Sequence, residues 1–345
     1  MDKTFKLKSG EALLLTDESE RRYFIDFDSS FGYVLITAES RAFYTDKRYL
    51  SAAREKLVGW DVEEFKGLDA VAERVRRAGA KSVLIDYSVT TVAEYNKLKK
   101  MKFRFKDASR RLESLFAVKS KTEIERITKA CSIAEKAFYA TLSYIEEGMT
   151  EKTLANILED NMHRYGADKV SFETIVAFGA NSAVPHHKTG NTKLAKDMPI
   201  LIDFGCVYEG YCSDCTRTIF FGEPDDAFVD AYAAVLEANK KAEEEIRTGT
   251  GFCEADKIAR DVLAKYGMDK AFTHSLGHGI GVNIHEYPYI SPKGGDSKLK
   301  SGMVFSVEPG VYFDKKFGIR IEDTVVLKGG VKRLFKDEKN LILIN

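Results

Sequence analysis

The sequence predicts an α+β fold in two domains, and three observations lead to this prediction. Strand-like and helix-like segments alternate over residues 1–112. An amphipathic helical pattern follows from Thr122 to about Ile145, with apolar residues at helical spacing. Two hairpin patterns then occupy residues 199–221 and 303–327, and each comes after two helices and a strand. We therefore expect a smaller α/β domain at 1–112 and a larger domain at 113–345.

The smaller domain has the alternation typical of a mixed sheet covered by helices. Its predicted strands lie at Leu13–Leu15, Tyr33–Thr37, Ala42–Tyr44 and Ser82–Asp86, and its predicted helices at Leu50–Leu57, Leu68–Ala78 and Thr90–Lys99. The pattern shows no histidine, no glycine-rich phosphate loop and no cluster of acids in this domain. These features predict a scaffold rather than a site of chemistry.

The larger domain repeats the order helix, helix, strand, hairpin. The first unit has predicted helices at 122–145 and 154–165 before its strand. The second unit has predicted helices at 226–246 and 254–266. A pseudo-twofold relation between the two units would bring both hairpins to a shared centre.

Both hairpins carry acidic residues inside apolar strands, namely Asp203 and Asp214 in the first and Glu308 and Glu322 in the second. Folding the first hairpin about Tyr208-Glu209, and the second about Lys315, places the two acids of each hairpin opposite each other. Opposed residues in an antiparallel pair lie about 5 Å apart. Buried carboxylates at that distance need protons, basic partners or metal. A protonated or ion-paired acid would explain one hairpin, but the same arrangement twice favours metal.

Three of the six histidines lie between the hairpins, in the stretch THSLGHGIGVNIHEYP: His274, His278 and His285. Its glycines allow the backbone to approach a ligand closely. A lone histidine is more often a structural residue, but this cluster favours a metal ligand with supporting partners. One histidine with four carboxylates is a hard, oxygen-rich set that suits a pair of divalent ions such as Mn²⁺, Co²⁺, Fe²⁺ or Zn²⁺.

The order of these motifs resembles the pita-bread metallopeptidases, a family that includes aminopeptidase P, prolidase, methionine aminopeptidase and creatinase. Asp203 is followed eleven positions later by Asp214, then by GHGIG, HE-x-P, EPG and RIED, and the resemblance covers essentially the whole chain. It implies the pita-bread fold for the larger domain and two bound divalent ions, Mn²⁺ or Co²⁺ ahead of Zn²⁺ or Fe²⁺. The implied ligands are Asp203, Asp214, His278, Glu308 and Glu322. The implied substrate-binding or supporting residues are His186, His274, His285 and Arg320.

The resemblance also implies a mechanism. Glu308 would take a proton from the attacking water and pass it to the leaving amine. His278 would bind the second ion and help to polarise the carbonyl. His285 and His186 would donate hydrogen bonds to the substrate or to the tetrahedral oxyanion. Arg320 would hold a carboxylate ligand in place.

The smaller domain narrows the choice within the family. Its YTDKRYLSAA segment resembles the amino-terminal domain of prolidase and aminopeptidase P, which methionine aminopeptidases generally lack. Prolidase and aminopeptidase P cleave the bond before proline, a tertiary amide without a hydrogen on nitrogen. The domain is expected to pair subunits in a homodimer and to wall one side of the cleft.

One residue departs from the prolidase pattern. Some microbial prolidases carry arginine directly after the HE-x-P proline, where it can pair with the carboxylate of a dipeptide; here Pro288 is followed by Tyr289. We therefore expect an Xaa-Pro aminopeptidase that accepts longer peptides with proline in second position, with Xaa-Pro dipeptidase (prolidase) as the alternative. For a dipeptidase, Arg320, His285 or a residue of the smaller domain would have to bind the carboxylate.

Two further classes stay open. A binding module that has lost catalysis is disfavoured because every implied ligand is present. A creatinase-type amidinohydrolase would act on creatine rather than on Xaa-Pro peptides, so assays on both would separate the two.

Composition excludes several other functions. Lys+Arg and Asp+Glu both number 53, and the zero net charge argues against broad nucleic-acid or anionic-membrane binding. No apolar run approaches the roughly 20 residues of a membrane span. Without a signal-peptide pattern, the expected location is the cytoplasm. The five scattered cysteines predict reduced thiols, and Cys212 and Cys215 lie within a predicted strand rather than at a redox helix start.

Overall fold

A computed structural model describes residues 4–345. The chain divides into two compact units, one ending at Phe116 and the other spanning Ala117–Asn345. The predicted join after residue 112 lies inside a helix that spans Ser109–Ala117.

The first unit is a mixed sheet with helices between its strands, as predicted. The elements in chain order are β1 (Glu11–Leu15), α1 (Glu18–Ile25), β2 (Tyr33–Ile36), β3 (Arg41–Thr45), α2 (Lys47–Lys56), β4 (Asp61–Glu64), α3 (Leu68–Arg77), β5 (Ser82–Ile85), α4 (Val92–Leu98), a 3-10 turn (Lys99–Met101), β6 (Arg104–Asp107) and α5 (Ser109–Ala117). The strand order in space is β4-β3-β2-β1-β5-β6. The edge strands β4 and β6 were not predicted, because their charged DVEE and RFKD sequences lack an apolar run.

The first unit contains a buried carboxyl pair whose members are far apart in the sequence. Glu20 on α1 is hydrogen-bonded to Asp86, which directly follows β5. Asp86 also accepts a hydrogen bond of 2.8 Å from the Ser109 hydroxyl. Burial, reinforced by the charge of Asp86, raises the pKa of Glu20 to about 9. The pair is invisible in the sequence because the two acids are far apart in the chain and only the fold brings them together.

The second unit contains the predicted repeat of helix, helix, strand and hairpin. Its first half comprises α6 (Lys121–Leu142), α7 (Glu151–Arg164), β7 (Lys169–Val170), β8 (Ile175–Phe178), a 3-10 turn (Gly179–Ala183), β9 (Met198–Phe204), β10 (Cys206–Tyr208), β11 (Tyr211–Cys212) and β12 (Cys215–Phe221). Its second half comprises α8 (Asp226–Glu245), α9 (Phe252–Lys265), a 3-10 turn (Asp269–Ala271), β13 (Gly277–Gly279), β14 (Glu286–Ile290), β15 (Val304–Val307), β16 (Gly310–Phe313), β17 (Phe317–Arg320), β18 (Asp323–Lys328), β19 (Gly330–Arg333) and β20 (Leu343–Ile344).

Two sheets of this unit carry the hairpins. Strands β20-β12-β9-β8 form one sheet and β14-β13-β15-β18-β19 form the other. Helix α6 begins with a capping box in which Ser120 accepts from the backbone N–H of Glu123 and Glu123 accepts from that of Ser120. Thr150 caps α7, where its hydroxyl accepts from the backbone N–H of Thr153. Helix α8 presents a buried apolar face, including Ala231, Val235 and Ala238, to the core of the unit. The helices thus cover the sheets and leave the hairpin ends to form a site.

The second hairpin has the predicted register. In β15 and β18, Val307 pairs with Asp323, and in β16 and β17, Phe313 pairs with Phe317 across a turn that contains Lys315. Continuing the first ladder by one step places Glu308 opposite Glu322. The apolar alternation on both strands and a left-handed Lys315 fix this register.

The first hairpin does not have the predicted register. Asp203 pairs with Thr216, not with Asp214. The turn is centred on Glu209-Gly210, whose φ angles of 45° and 75° suit the two-residue hairpin turn that favours glycine. This position is one residue later than the predicted centre, which moves the pairing by two residues. Asp214 therefore lies in the break between β11 and β12.

Candidate metal centre

Three strand-end segments bring the sequence-predicted ligands together. Glu308 follows β15, Glu322 precedes β18, and Asp214 precedes β12. His278 lies in β13, next to β15, and its backbone N–H donates to the Ser306 hydroxyl at 3.0 Å. This close approach requires glycine beside His278, because a Cβ on Gly277 would lie 2.0 Å from the Ser306 carbonyl oxygen.

The imidazole of His278 faces the acids. Its Nε2 lies 3.4 Å from Asp214 Oδ2 and 3.4 Å from Glu308 Oε1. Its Nδ1 lies 3.2 Å from the Gly279 carbonyl, to which an Nδ1–H would donate, leaving Nε2 as a free acceptor. One donor atom each from Asp214, His278 and Glu322 lies within 4.8 Å of the others. This spacing suits coordination of a common cation.

Two carboxylate oxygens at this centre are buried without a protein partner. They are Asp203 Oδ1 and Glu322 Oε1. The other oxygen of each carboxylate is held by the protein: Arg320 donates to Asp203 Oδ2 at 2.5 Å and Thr216 donates to Glu322 Oε2 at 2.7 Å. A buried carboxylate oxygen without a donor is costly, and a cation would satisfy it.

The pKa shifts of the clustered acids also favour a bound cation. Burial raises the pKa of Asp214 well above its usual range, and the nearby charges of Glu322 and Asp203 raise it further. Burial and the charge of Glu308 likewise raise the pKa of Glu322. Burial raises the pKa of Glu308 to about 7, although Arg320 opposes the shift. Without cations these acids would hold protons, so an oxygen-rich set with one neutral imidazole fits divalent metal ions.

Arg320 holds one of the predicted ligands. Besides its contact with Asp203, its Nε donates to Thr216 Oγ1 at 2.9 Å and its Nη1 donates to the Tyr312 hydroxyl at 2.8 Å. Its Nη1 also lies 3.3 Å from the Pro185 carbonyl oxygen. Because its guanidinium is used in these contacts, Arg320 does not fit the alternative role of binding a substrate carboxylate.

His274 and His285 have different surroundings. Both nitrogens of His274 have protein partners, the Ser275 carbonyl at 2.9 Å from Nδ1 and the Tyr312 hydroxyl at 2.9 Å from Nε2. Burial lowers the pKa of His274 to about 3, so its ring is neutral. The ring of His285 lies 4.3 Å from that of His278, centroid to centroid. Burial, and then His278, lowers the pKa of His285.

A cavity of about 940 Å³ opens over this centre. Its walls include the predicted histidines and acids, and also Tyr289, which is about half-exposed. Two exposed lysines, Lys152 and Lys188, also line it. The cavity thus combines a buried anionic floor with a wall that carries both lysines and two glutamates, Glu159 and Glu173.

Glu151, which sequence reasoning missed, shapes the wall that carries His186. This buried carboxylate accepts from the backbone N–H groups of Phe178 at 2.9 Å and Gly190 at 3.0 Å. It also contacts His187 Nε2 at 2.9 Å. The family pattern did not assign a role to His187. Through its contact with Glu151 it helps to fix the position of the segment that carries His186. Its adjacency to His186 in the sequence is the signal that could have suggested it.

Tyr312 is a second missed residue, since its hydroxyl links His274 to Arg320. In the sequence it is one apolar residue of the strand segment EPGVYF.

The cysteine pair is not a redox site: Cys212 and Cys215 are buried free thiols, and burial raises the pKa of Cys212 to about 12. A reactive cysteine requires the opposite shift. Among residues 4–345, no helix is both long and apolar enough to cross a membrane.

Fold and site together define a metal-dependent hydrolase of two similar halves. Residues 125–329 match metallopeptidase family M24, and residues 2–116 match the creatinase/prolidase N-terminal domain. The chain therefore belongs to the M24 metallopeptidases, with the pita-bread fold in its second unit. It is a metallo-exopeptidase, and its family implies divalent metal ions.

Individual relatives match along nearly the whole chain. An Xaa-Pro dipeptidase of Pyrococcus horikoshii is 40% identical over 314 residues, which cover 90% of this chain and 88% of the relative. An Xaa-Pro dipeptidase structure from Bacillus anthracis has a TM-score of 0.93 at 36% identity, covering 96% of this chain and 95% of that one. An X-Pro aminopeptidase structure from Thermotoga maritima has a TM-score of 0.91 at 35% identity, covering 97% of both chains.

Proposed function

We propose that this protein is an Xaa-Pro dipeptidase, a prolidase that hydrolyses dipeptides with proline in second position. The observation that carries the proposal is the 40% identity to an Xaa-Pro dipeptidase across both units. The comparisons thus favour the alternative over our first expectation, an Xaa-Pro aminopeptidase. That expectation rested on Tyr289 alone, and one missing arginine is weaker support than similarity along the whole chain.

The proposed metal ligands are Asp203, Asp214, His278, Glu308 and Glu322. Two divalent ions held there would lower the pKa of a water molecule and polarise the scissile carbonyl. Mn²⁺ or Co²⁺ is the proposed pair, with Zn²⁺ or Fe²⁺ as alternatives. The unpartnered oxygens of Asp203 and Glu322 support this ligand set.

The remaining groups have separate proposed roles. Glu308, whose Oε1 lies 3.4 Å from His278 Nε2, is the proposed group that takes a proton from the attacking water and returns it to the proline nitrogen. The Ser306 hydroxyl donates to Glu308 Oε1 at 3.0 Å and fixes its orientation. His285 and His186, on the cavity wall, are the proposed donors to the substrate and its oxyanion. His274 would orient Tyr312 and Arg320.

A dipeptidase must also recognise the terminal carboxylate of its substrate. Arg320 is already used by Asp203, so we assign this contact to Lys188, Lys152 or His285 on the cavity wall. This assignment removes the need for an arginine at Tyr289. It also makes substrate length the property that separates the two candidate functions.

The test measures kcat/KM for Ala-Pro and for Ala-Pro-Ala with protein reconstituted with Mn²⁺ or Co²⁺. Preference for the dipeptide supports the proposal, and substitution of the one of Lys188, Lys152 and His285 that binds the carboxylate should then reduce that preference. Equal or better cleavage of the tripeptide would restore the aminopeptidase, the function that Tyr289 and the Thermotoga maritima structure favour. In that case Tyr289→Arg should shift the preference toward the dipeptide by roughly three- to a hundred-fold. Hydrolysis of creatine, assayed as a third substrate, tests the amidinohydrolase alternative. Analytical ultracentrifugation tests the predicted homodimer.

A further inference from the structure

A buried asparagine on the far side of the hairpin from the cavity contacts both of its strands. Asn239 interrupts the apolar face of α8 and is fully buried. Its Nδ2 donates to the carbonyl of Val307 at 2.9 Å and to the carbonyl of Ile321 at 3.0 Å. These are the residues directly before Glu308 and Glu322. One amide group therefore joins the two backbone segments that carry two of the proposed ligands.

The orientation of this amide is set by a buried ammonium group. Lys339 Nζ donates to Asn239 Oδ1, so Nδ2 must face the two carbonyls. Lys339 Nζ also lies 2.8 Å from Glu243 Oε2 and 2.8 Å from Asp323 Oδ2. Asn239 thus has all its polar atoms partnered and a single favourable orientation.

Arg217 contacts the next carbonyl of this backbone segment, that of Glu322, which follows the Ile321 carbonyl contacted by Asn239. Its Nη1 donates to the Glu322 carbonyl at 2.5 Å and to the Thr216 carbonyl at 3.0 Å. Its Nη2 lies 2.8 Å from Asp323 Oδ1 and 2.7 Å from Asp337 Oδ1. The carbonyls of both Ile321 and Glu322 are therefore fixed by buried side chains.

Strand pairing is reduced where the ligands lie. Strand pairing stops after Val307 in β15 and resumes at Gly310 in β16, and it stops after Arg320 in β17 and resumes at Asp323 in β18. Pro309, within the first gap, has no N–H to donate to a ladder. Within the gaps a cross-strand backbone hydrogen bond joins these segments, from the Ile321 N–H to the Pro309 carbonyl at 3.3 Å, and the Asn239 amide adds a second link between them.

We propose that Asn239 is a positioning residue that sets the separation of Glu308 and Glu322, with Lys339 orienting its amide. This inference rests on the metal centre in the proposed function. None of Asn239, Lys339 and Arg217 lines the cavity, so the effect is transmitted through the backbone. Supporting contacts of this kind change metal affinity by about 10- to 100-fold when they are removed.

The experiment measures Co²⁺ binding to the full chain by equilibrium dialysis, together with the visible absorption spectrum of bound Co²⁺. Asn239→Leu keeps a similar volume and removes the donors, so we expect weaker binding by roughly ten-fold or more and an altered spectrum. Asn239→Asp replaces Nδ2 with an oxygen and can keep the contact with Lys339. It serves as the second variant if the leucine variant does not fold, with the same expected result.

Asn161→Leu is the matched control. Asn161 is also a buried helical asparagine, 5% exposed, and its Nδ2 donates at 3.0 Å to Thr141 Oγ1 on α6, a helix that carries no proposed ligand. This variant should lose stability but keep the Co²⁺ affinity and spectrum. Wild-type affinity and spectrum in a folded Asn239 variant would overturn the inference alone. Failure of the wild-type protein to bind Co²⁺ would refute the proposed metal centre and this inference with it.

Discussion

Glu322 and Asp323 are neighbours in the chain, yet their surroundings shift their pKa values in opposite directions. Burial raises the pKa of Glu322 well above its usual range, and Glu308 and Asp203 add to the shift. The pKa of Asp323, equally buried, is lowered, because Arg217, Lys339 and Arg333 outweigh the effect of burial. Successive side chains of a strand point to opposite faces. On the Asp323 face, basic side chains of the protein balance the negative charge. On the Glu322 face they do not, and that face requires bound cations.

Removal of metal should have the largest effect on the Glu322 face. Prolonged chelation is expected to abolish turnover, because the clustered carboxylates then lose the cations that the site requires. Mn²⁺ or Co²⁺ should restore activity. The measurement is hydrolysis of Ala-Pro alongside elemental analysis. Full activity in protein verified to be free of metal would contradict the metal centre.

Substitutions of single ligands should separate binding from proton transfer. Glu308→Gln is expected to reduce kcat by about 10²- to 10⁴-fold, because the carboxamide loses a ligand charge and also cannot carry the proton. Asp214→Asn should instead lower the metal content by at least one ion per chain, because a ligand charge is lost. Elemental analysis and steady-state kinetics on both variants distinguish these effects. A near-normal rate for Glu308→Gln would exclude Glu308 as the base.

Substitutions on the Asp323 face should lower stability. Arg217→Met leaves Asp323 and Asp337 short of a buried partner, so we expect the free energy of unfolding to fall by about 3–5 kcal/mol. Arg74→Met is the control, since Arg74 contacts Asp61 and Glu63, which are both largely exposed. Its effect should be about 1 kcal/mol or less. Urea unfolding measures both, and equal losses would contradict the distinction between buried and exposed pairs.

Glu20 and Asp86 provide a third case, in which two buried acids have neither metal nor a surplus of bases. The raised pKa of Glu20, about 9, means that folding retains a proton that the unfolded chain releases near pH 4.5. Stability from this group is full below pH 4.5 and declines as the pH rises toward 9, by up to about 1.4 kcal/mol per pH unit.

The glutamine of Glu20→Gln does not titrate. The free energy of unfolding of this variant, relative to that of wild type, should therefore increase from pH 5 to pH 8. Urea unfolding at both pH values measures the difference. Glu39→Gln, at an exposed position of the same unit, controls for the loss of one acidic group. A difference between Glu20→Gln and wild type that is the same at both pH values would show that Glu20 is already ionised.

The sequence predicted the architecture better than it predicted pairings. Apolar periodicity identified the central strands and the repeated order of the second unit. It also gave the correct register about Lys315. It failed at Glu209-Gly210, because a shift of one residue in the turn centre moves every pair by two.

Contacts over long separations could not be predicted. Glu151 reads as a helix-start acid and Asn239 as one polar residue on a charged helix. Their partners at Gly190 and Ile321 are known only once the chain has folded. The same limit hid the pair of Glu20 and Asp86. Motifs identify groups whose chemistry is local in the sequence, whereas supporting residues are defined by geometry alone.

The balanced charges around Asp323 also bear on the order of assembly. Because Arg217, Lys339 and Arg333 neutralise that face without any ion, the backbone on either side of Glu322 can take its place during folding. We therefore expect ion uptake to follow folding, and ions to exchange without unfolding of the chain. The occupant of the site would accordingly depend on which divalent ions the surroundings supply.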